Sequence, residues 1–311
     1  MRIRILSWNV RGVNDKDKRK LIKNVIKTQK ADLMCLQETK LPEMTSGIVR
    51  SLGVGRCLEW GALNSRGEAG VVVFWDNRVL QMMEMEVGNY SVSCRFKNCE
   101  DGFCWVFSGV YGPSMKVERE EFLSELGAIR GLWNESWCVA GDFNMIRFPS
   151  ERSRGGRGSP SMRRFTEVIE ELELRDLPLQ GGMFTWSGGL NNLLKSRIDR
   201  FLISEDWEVH FQGCIQGVLA RPVSDHSPII LDGEGMRRGR TPFRFKNMWL
   251  KEEGFKEVLR KWWEGIQVSG LANYILSEKL KALKPILKKW NREVFSQVTV
   301  KKQEAWNSMD F

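Results

Sequence analysis

A chain of 311 residues with 42% hydrophobic and 28% charged residues has the make-up of an ordinary globular protein, long enough for one large α/β domain with an extension. This composition excludes the collagen-like, coiled-coil and intrinsically disordered classes. Lys and Arg (48) exceed Asp and Glu (39), and the formal net charge of +9 makes a polyanionic partner such as nucleic acid worth considering.

The seven cysteines form an odd set without a C-x-x-C pair, in a chain that is large enough to fold without disulfides. We therefore expect free, buried thiols and an intracellular, reducing compartment, either the nucleus or the cytoplasm. The first residues alternate Arg2, Ile3, Arg4, Ile5 and lack the apolar segment of a secretory signal. No apolar run approaches the ~20 residues that span a bilayer, so no membrane partner is expected.

Short apolar strands, turns and a few amphipathic helices alternate as far as about residue 232. Residues 2–8 alternate with period two, residues 18–30 carry apolar side chains at helical spacing, and residues 32–37 are apolar, which predicts a strand–helix–strand unit. Further strands are predicted at 70–75, 91–96, 104–111, 137–140, 183–186, 196–203 and 229–231, and further helices at 117–132 and 160–174. Many strands with few helices predict two sheets packed on each other with helices outside.

After residue 232 the character of the chain changes, so we predict domains at 1–232 and 233–311. Residues 233–245 are rich in Gly and Arg and predict a linker, and 255–266 and 271–295 have helical patterns, the second kinked or divided at Pro285. Trp262, Trp263 and Trp290 are expected to form a small core there. Residues 233–311 hold 17 basic and 9 acidic residues, so nearly all of the net charge lies in this extension.

Small polar clusters stand at the ends of several predicted strands, where scaffolds commonly present reactive groups. The first two are S-W-N, ending at Asn9, and Q-E-T, centred on Glu38. An amide oxygen and a carboxylate from neighbouring strand ends offer the hard oxygen ligands that Mg²⁺ prefers. Taken alone, each cluster is better explained by a plainer interpretation, in which Asn9 caps a turn and Glu38 is a solvated charge.

Two further clusters carry groups suited to proton transfer. In G-D-F-N, Asp142 and Asn144 follow a predicted strand, and in S-D-H-S-P, Asp225 and His226 precede one. Carboxylates commonly orient catalytic imidazoles, although an ordinary Asx turn and a surface histidine are the alternatives. The other histidine, His210, is interpreted as a surface residue.

Three more motifs complete the set: Y-G-P with Tyr111, T-W with Thr185, and R-I-D-R with Asp199. In chain order, W-N, Q-E-T, Y-G-P, G-D-F-N, T-W, R-I-D and S-D-H-S-P resemble the motifs of the endonuclease/exonuclease/phosphatase family over residues 1 to about 232. The resemblance implies a DNase I-like, four-layer α/β sandwich of two facing mixed β-sheets flanked by helices. It also implies a metal-dependent hydrolase that uses Mg²⁺, with Mn²⁺ as the alternative ion.

The resemblance assigns a role to each matched position. It places Glu38 as the principal metal ligand, Asn9 beside it, and Asp142 as the residue that positions and deprotonates the attacking water. It places Asn144 and His226 against the phosphate, Tyr111 as the active-site phenol, and Asp225 as partner of His226 and second metal ligand. Asp199 and Thr185 match polar positions that line the same site.

Within the family, residues 242–250, the T-W-S-G-G turn and the R-I-D-R strand resemble plant LINE-type non-LTR retrotransposons, in which an endonuclease precedes a reverse transcriptase. This implies a DNA endonuclease that nicks one strand of double-stranded DNA to leave a 3′-hydroxyl primer, with retroelement RNA as a further partner. It also implies a chain truncated before the reverse transcriptase. The alternatives are an abasic-site endonuclease or exonuclease, a phosphomonoesterase of the same fold, and a silent nucleic-acid-binding remnant.

A run of arginines follows the G-D-F-N motif and is opposed by a single acidic residue, Glu151. We expect this run to contact DNA phosphates beside the site, and a solvated loop is the alternative. Its substrate-binding candidates are Arg147, Arg152, Arg154 and Arg157.

Overall fold

The computed structural model describes residues 2–55, 57–65, 69–189, 193–233, 249–250, 252, 254–291 and 293. The chain separates into two units, Met1–Arg237 and Arg238–Phe311. The first unit is built on two β-sheets and the second on helices.

The first sheet has seven strands in the order β10-β14-β15-β1-β2-β4-β3 and mixes parallel with antiparallel pairs. Its central pair, β1 and β2, is parallel, because a helix at Lys16–Gln29, α1, crosses over between them. The strands are β1 Arg4–Asn9, β2 Leu33–Gln37, β3 Leu58–Leu63, β4 Val71–Asp76, β10 Leu179–Gln180, β14 Ile215–Val218 and β15 Ile229–Asp232.

The second sheet has six strands in the order β5-β6-β7-β8-β13-β9, and β7 and β8 form its parallel pair. These strands are β5 Leu80–Val87, β6 Ser91–Asn98, β7 Cys104–Tyr111, β8 Ser136–Asp142, β9 Leu174–Asp176 and β13 Asp199–Ser204. A separate antiparallel hairpin is made by β11 Trp186–Gly188 and β12 Leu194–Ser196.

Helices cover the outer face of each sheet. The helices of this unit are α1 Lys16–Gln29, α2 Ser46–Leu52, α3 Arg119–Leu132, α4 Pro160–Glu171 and α5 Glu205–His210. One apolar core lies between the sheets and includes Trp75, Phe107 and Phe201. Separate cores join the first sheet to α1 and the second sheet to α3 and α4. This confirms the predicted four-layer sandwich of two facing mixed sheets flanked by helices.

Most predicted elements lie within two or three residues of the observed ones, and the exceptions have physical reasons. The strand predicted at 183–186 starts only at Trp186, and the one predicted at 196–203 is split between β12 and β13. Strand β5 was not predicted, because it is an edge strand whose Met83, Met85 and Val87 are exposed beside its glutamates. Helix α2, with seven residues, is too short for a periodic signal.

The second unit contains α6 Phe255–Gly265 and α7 Ala272–Trp290, which pack around Trp249, Phe255, Leu283 and Leu287. The three tryptophans predicted to form a core pack against this cluster. Pro285 lies inside α7 without dividing it, contrary to one of the two predicted outcomes. The predicted linker lies, apart from Gly233, outside the described residues. None of the described helices has both the length and the apolar character needed to cross a membrane.

All seven cysteines are free thiols, as expected. Cys35, Cys94 and Cys138 are buried, as predicted for the whole set, whereas Cys99 is exposed and the others are intermediate.

A buried network of charges ties the segment after β8 to β9 and β13. The Arg200 side chain is fully buried, and its guanidinium contacts Asp176 Oδ2 at 2.6 Å and Glu151 Oε2 at 3.0 Å. Arg197 and Arg147 contact the same Asp176 carboxylate. Because each buried charge has a partner of opposite sign, the network fixes the backbone on which Asp199 and Asn144 stand.

We expect Glu151→Ala to destabilise the protein by about 3–5 kcal/mol, because it leaves the buried Arg200 with one carboxylate fewer. Urea denaturation measures this loss. Glu167→Ala on α4 is the control, since its glutamate is largely exposed and its contact with Arg164 is a surface pair. A Glu151→Ala loss below about 1 kcal/mol, the range of a surface pair, would contradict the role of the network.

Candidate active site

The register of both sheets brings the polar strand ends to one edge of the sandwich. In the first sheet, Asn9 lies opposite Gln37, the residue before Glu38. In the second sheet, Asp142 lies between Tyr111 on one side and Asp199 on the other. These strand ends lie beside a cavity of about 320 Å³, whose lining includes Glu38, Tyr111, Asn144, Asp225 and His226.

Gly112 lets the turn after β7 lie directly against the segment after β8. Its amide donates to the Asp142 carbonyl at 2.7 Å, and a Cβ at this position would lie 2.3 Å from the Phe143 carbonyl oxygen. The Asn144 side chain in turn donates to the Gly112 carbonyl at 2.8 Å. The two motifs Y-G-P and G-D-F-N therefore hold each other in place.

Asn9 joins the carboxylates of the two sheets. Its Nδ2 donates to Glu38 Oε1 at 3.1 Å and to Asp142 Oδ2 at 2.9 Å, while its Oδ1 accepts from the Arg11 amide at 3.1 Å. The two carboxylate acceptors and the Arg11 amide donor fix the orientation of the buried Asn9 side-chain amide. The structure thus places its nitrogen, rather than the oxygen expected to face a metal ion, on Glu38.

Glu38 is the more accessible of the two carboxylates. Its Oε1 also accepts from the Tyr111 hydroxyl at 2.9 Å, and Lys40 Nζ lies 3.4 Å from its Oε2. Burial and the negative charge of Glu38 raise the pKa of Tyr111, so the phenol stays neutral and donates.

His226 stands between two carboxylates. Its Nδ1 lies 2.9 Å from Asp199 Oδ2, and its Nε2 lies 3.7 Å from Asp142 Oδ2. Burial disfavours the imidazolium, but the charges of Asp199 and Asp142 outweigh it and raise the pKa of His226. Burial likewise raises the pKa of Asp142, with His226 opposing the shift. The neighbouring carboxylates therefore favour the protonated imidazole, and burial makes Asp142 a better proton acceptor than an exposed aspartate.

The loop that carries His226 is anchored to the end of β1. Trp8 Nε1 donates to the His226 carbonyl at 3.0 Å, and Ser224 Oγ donates to the Asn9 carbonyl at 2.7 Å. The W-N and S-D-H-S-P motifs, more than 200 residues apart, form one local structure.

Four non-glycine residues at this edge have left-handed backbones, each at a cost of about 1–3 kcal/mol. They are Arg11, Glu38, Lys40 and Asn144, with φ between +49° and +53°. Strain that persists in several neighbouring loops is typical of a functional site.

Two further predicted residues, Thr185 and Asp225, lie in different surroundings. Thr185 is buried, and its Oγ1 accepts from the amides of Ile198 and Asp199, so it positions β13 rather than facing the cavity. Asp225 lines the cavity, where its Oδ2 accepts from Arg11 at 2.8 Å and from Trp186 Nε1 at 3.1 Å.

The arginines after Asn144 separate into buried and exposed members. Arg147 departs from the expected phosphate contact, because its side chain is mostly buried and pairs with Asp176. Arg152 is half-buried and donates to the carbonyls of Gly155 and Arg157. Arg154 and Arg157 are exposed.

Sequence reasoning missed Arg11 and Lys40, which both line the cavity. The available signal was local: Arg11 follows Asn9 by two residues and Lys40 follows Glu38 by two. Each is a cation close in sequence to a predicted metal ligand.

The donor set at this edge fits a divalent cation. Glu38 and Asp142 face one shared amide group, and ligand atoms of Asp142, Asp199 and His226 lie within 4.8 Å of one another. Clustered carboxylates repel one another unless a cation or protons offset their charge, and carboxylate oxygens are what Mg²⁺ and Mn²⁺ prefer.

Residues 6–226 match the profile of the Endonuclease/Exonuclease/phosphatase family. No curated protein matches the chain. Among solved structures, the 3′ phosphatase NExo from Neisseria bound to product DNA hairpin is 17% identical, with 74% of this chain and 98% of that chain covered and a TM-score of 0.59.

Two nucleases are similar to the same extent. An AP endonuclease from Archaeoglobus fulgidus is 16% identical, with 74% and 98% covered and a TM-score of 0.58. The endonuclease domain of TRAS1, a telomere-specific non-LTR retrotransposon, is 15% identical, with 75% and 98% covered and a TM-score of 0.58. At these identities the likeness concerns the fold.

We expect Asp199→Asn to lower the pKa of His226 by about 1–2 units, because an amide removes the nearest negative charge. Titration of the imidazole by ¹⁵N NMR in the metal-free protein measures the change. Asp101→Asn is the matched control, since Asp101 Oδ2 contacts Nε2 of the other histidine, His210, at 3.1 Å. A wild-type His226 that titrates near the ordinary value of about 6.5 would contradict the arrangement.

Proposed function

Because the chain belongs to the Endonuclease/Exonuclease/phosphatase family, we propose that it is a divalent-metal-dependent phosphodiesterase and specifically a DNA endonuclease that leaves a 3′-hydroxyl. One observation carries the proposal: Glu38, Asp142 and His226 come together from distant parts of the chain. Glu38 and His226 line one cavity, and the buried Asp142 lies 3.7 Å from His226 and shares the Asn9 amide with Glu38.

Glu38 is the residue that would hold the divalent ion, with Asp142 adjacent to it. The ion, when bound, neutralises negative charge on the phosphoryl oxygens of the substrate. Asn9 keeps the two carboxylates side by side through its Nδ2 contacts. Mg²⁺ is the expected ion and Mn²⁺ the alternative, since both prefer oxygen ligands.

Asp142 acts as the general base. Its carboxylate is almost fully buried, and its Oδ1 accepts from the Asn144 amide at 2.9 Å, which fixes its orientation. A pKa raised by burial makes it a stronger base than an exposed aspartate. It takes the proton from the water that attacks phosphorus. As the new P–O bond forms, the bond between phosphorus and the 3′ oxygen breaks, and that oxygen leaves as the 3′-hydroxyl after taking up a proton from solvent.

His226 and Tyr111 supply hydrogen-bond donors. Asp199 keeps the imidazole protonated, so that Nε2 donates to a phosphoryl oxygen as negative charge develops there. The neutral phenol of Tyr111 both orients Glu38 and faces the cavity. The side-chain amide of Asn144 donates to the Gly112 carbonyl and so holds the turn after Tyr111, rather than being free to donate to a phosphate.

The retrotransposon assignment of the nuclease rests on the T-W and R-I-D-R motifs and on a basic extension, with retroelement RNA as a further partner. The segment 242–250, which carried most of this resemblance, lies almost entirely outside the described residues. A role in priming reverse transcription, a plant LINE origin and a nuclear location are therefore proposals that the sequence motifs alone support.

We expect Asp142→Asn to lower the rate of Mg²⁺-dependent nicking of supercoiled plasmid by about 10²–10⁴-fold, the contribution of a general base. Glu38→Gln should abolish nicking, because it removes the charge that holds the ion. Glu43→Ala, an exposed glutamate outside the cavity, is the control and should nick at the wild-type rate. Retained nicking by a contaminant-free Glu38→Gln protein would overturn the assignment.

The same preparations distinguish the other activities of the fold. Undamaged plasmid, an abasic duplex, a 3′-phosphorylated oligonucleotide and inositol phosphate are compared as substrates at equal enzyme concentration. Preference for undamaged plasmid supports the endonuclease. Preference for the abasic duplex or for a phosphomonoester would replace it, and tight DNA binding without turnover in Mg²⁺ or Mn²⁺ would indicate a silent remnant.

Arg154 and Arg157 are the exposed arginines that we expect to contact DNA phosphates. Neutralising both as Arg154→Gln/Arg157→Gln should reduce the slope of log K against log salt by up to about 1.8, or about 0.9 for each lost contact. Fluorescence anisotropy in EDTA measures binding without hydrolysis. An unchanged slope would identify this segment as a solvated loop, and Arg50→Gln on α2 controls for general charge loss.

A further inference from the structure

The backbone of Arg11 is held at the site from three directions. Its amide donates to Asn9 Oδ1 at 3.1 Å, and its carbonyl accepts from Lys18 Nζ at 2.9 Å. The next amide, of Gly12, donates to the Glu38 carbonyl at 2.6 Å. The left-handed conformation of Arg11 is therefore fixed by the same Asn9 and Glu38 that build the candidate metal centre.

The guanidinium of Arg11 is directed at Asp225. Its Nη1 lies 2.8 Å from Asp225 Oδ2, and Trp186 Nε1 donates to the same oxygen at 3.1 Å. The other carboxylate oxygen lies 3.4 Å from Ser224 Oγ, whose proton is donated to the Asn9 carbonyl. Oδ2 of Asp225 thus accepts from two donors, and among the described residues Asp225 is not a member of the metal-compatible group of Asp142, Asp199 and His226.

We propose that Arg11 is the built-in second cation of this site: its guanidinium keeps Asp225 from serving as a metal ligand and binds a substrate phosphate. The site then binds one divalent ion, at Glu38. The proposal rests on the proposed phosphodiesterase function, because it assigns the phosphate to that reaction. It replaces the expectation that Asp225 is a second metal ligand.

The chemistry of a guanidinium permits both roles at once. Arginine carries five N–H donors in a rigid plane, and the Asp225 contact uses Nη1. The Arg11 side chain is 59% exposed, whereas that of Asp225 is 22% exposed, so the remaining donors are open to a ligand. Two oxygens of a tetrahedral phosphate group can accept hydrogen bonds from this fork at the same time.

The first test counts metal ions. Mn²⁺ binding is measured by electron paramagnetic resonance on wild-type protein, Asp225→Asn and Glu38→Gln. We expect one ion in the wild type, one in Asp225→Asn with unchanged affinity, and loss of the ion in Glu38→Gln. Two ions in the wild type, with one lost in Asp225→Asn, would overturn the proposal.

The second test measures phosphate binding without metal. In EDTA, Arg11→Met should weaken binding of a short DNA duplex by about tenfold to a hundredfold, the effect of losing a charge-assisted hydrogen bond. It should also lower the salt slope by about 0.9. Arg11→Lys should keep the wild-type salt slope but only part of the affinity for DNA, because lysine retains the charge and lacks the forked N–H donors of a guanidinium. Arg50→Met on α2 should bind as the wild type does.

An Arg11→Met protein with wild-type affinity and slope would show that the guanidinium does not contact phosphate and would overturn the proposal. These readouts are separate from turnover. A wild-type protein that nicks no plasmid would overturn the proposed function, while the Mn²⁺ count would still decide whether Asp225 is a ligand. A protein that nicks plasmid and binds two ions would overturn the Arg11 proposal alone.

Discussion

The site depends on one buried amide that joins the two sheets. Sheets in a sandwich lie about 10 Å apart, with apolar side chains between them, and here the polar side chains of both sheets meet where strands end at a common edge. Asn9 ends β1 of the first sheet, and its Nδ2 contacts Asp142, which ends β8 of the second. The same nitrogen contacts Glu38. Without this donor the two carboxylates would face each other with nothing between them, and the geometry that both need would be lost.

Burial then determines what these groups can do. Asp142 and Asp199 are almost completely buried, and an isolated carboxylate in such a place would simply become protonated. His226 lies between them, 2.9 Å from Asp199 Oδ2 and 3.7 Å from Asp142 Oδ2, and their negative charges favour its protonated form. The left-handed residues around the cavity cost stability as well, and the core between the two sheets offsets that cost. The shifted pKa values of Asp142 and His226 have one cause, which is that charged groups lie close together where water cannot solvate them.

The sequence contains the strand ends but not the contacts between distant segments. Strands β1, β2, β7 and β8 were predictable because they are buried on both faces, and their motifs mark the residues that follow them. The placement of Arg147 and Thr185 was not predictable. In the sequence Arg147 cannot be distinguished from the exposed arginines that follow it. Its side chain is mostly buried because it pairs with Asp176, which is 29 residues away. Thr185 accepts from backbone amides 13 and 14 residues ahead. Arg11 was not predicted as a site residue, because a single cation two residues after Asn9 matches no sequence motif that indicates a function.

The nearly neutral charge of residues 1–232 is compatible with a polyanionic substrate. At physiological ionic strength, screening limits the reach of an exposed charge to about 8 Å, so only charges near the bound phosphate affect it. Close to the site, Arg11 and Lys40 line the cavity. Two carboxylates, those of Glu151 and Asp176, are by contrast buried inside the protein, where they pair with buried arginines. The net charge includes the exposed cations and the buried carboxylates alike, whereas a bound phosphate interacts only with the charges near it. The distribution of exposed cations, rather than their sum, is therefore the quantity that determines whether this domain binds DNA.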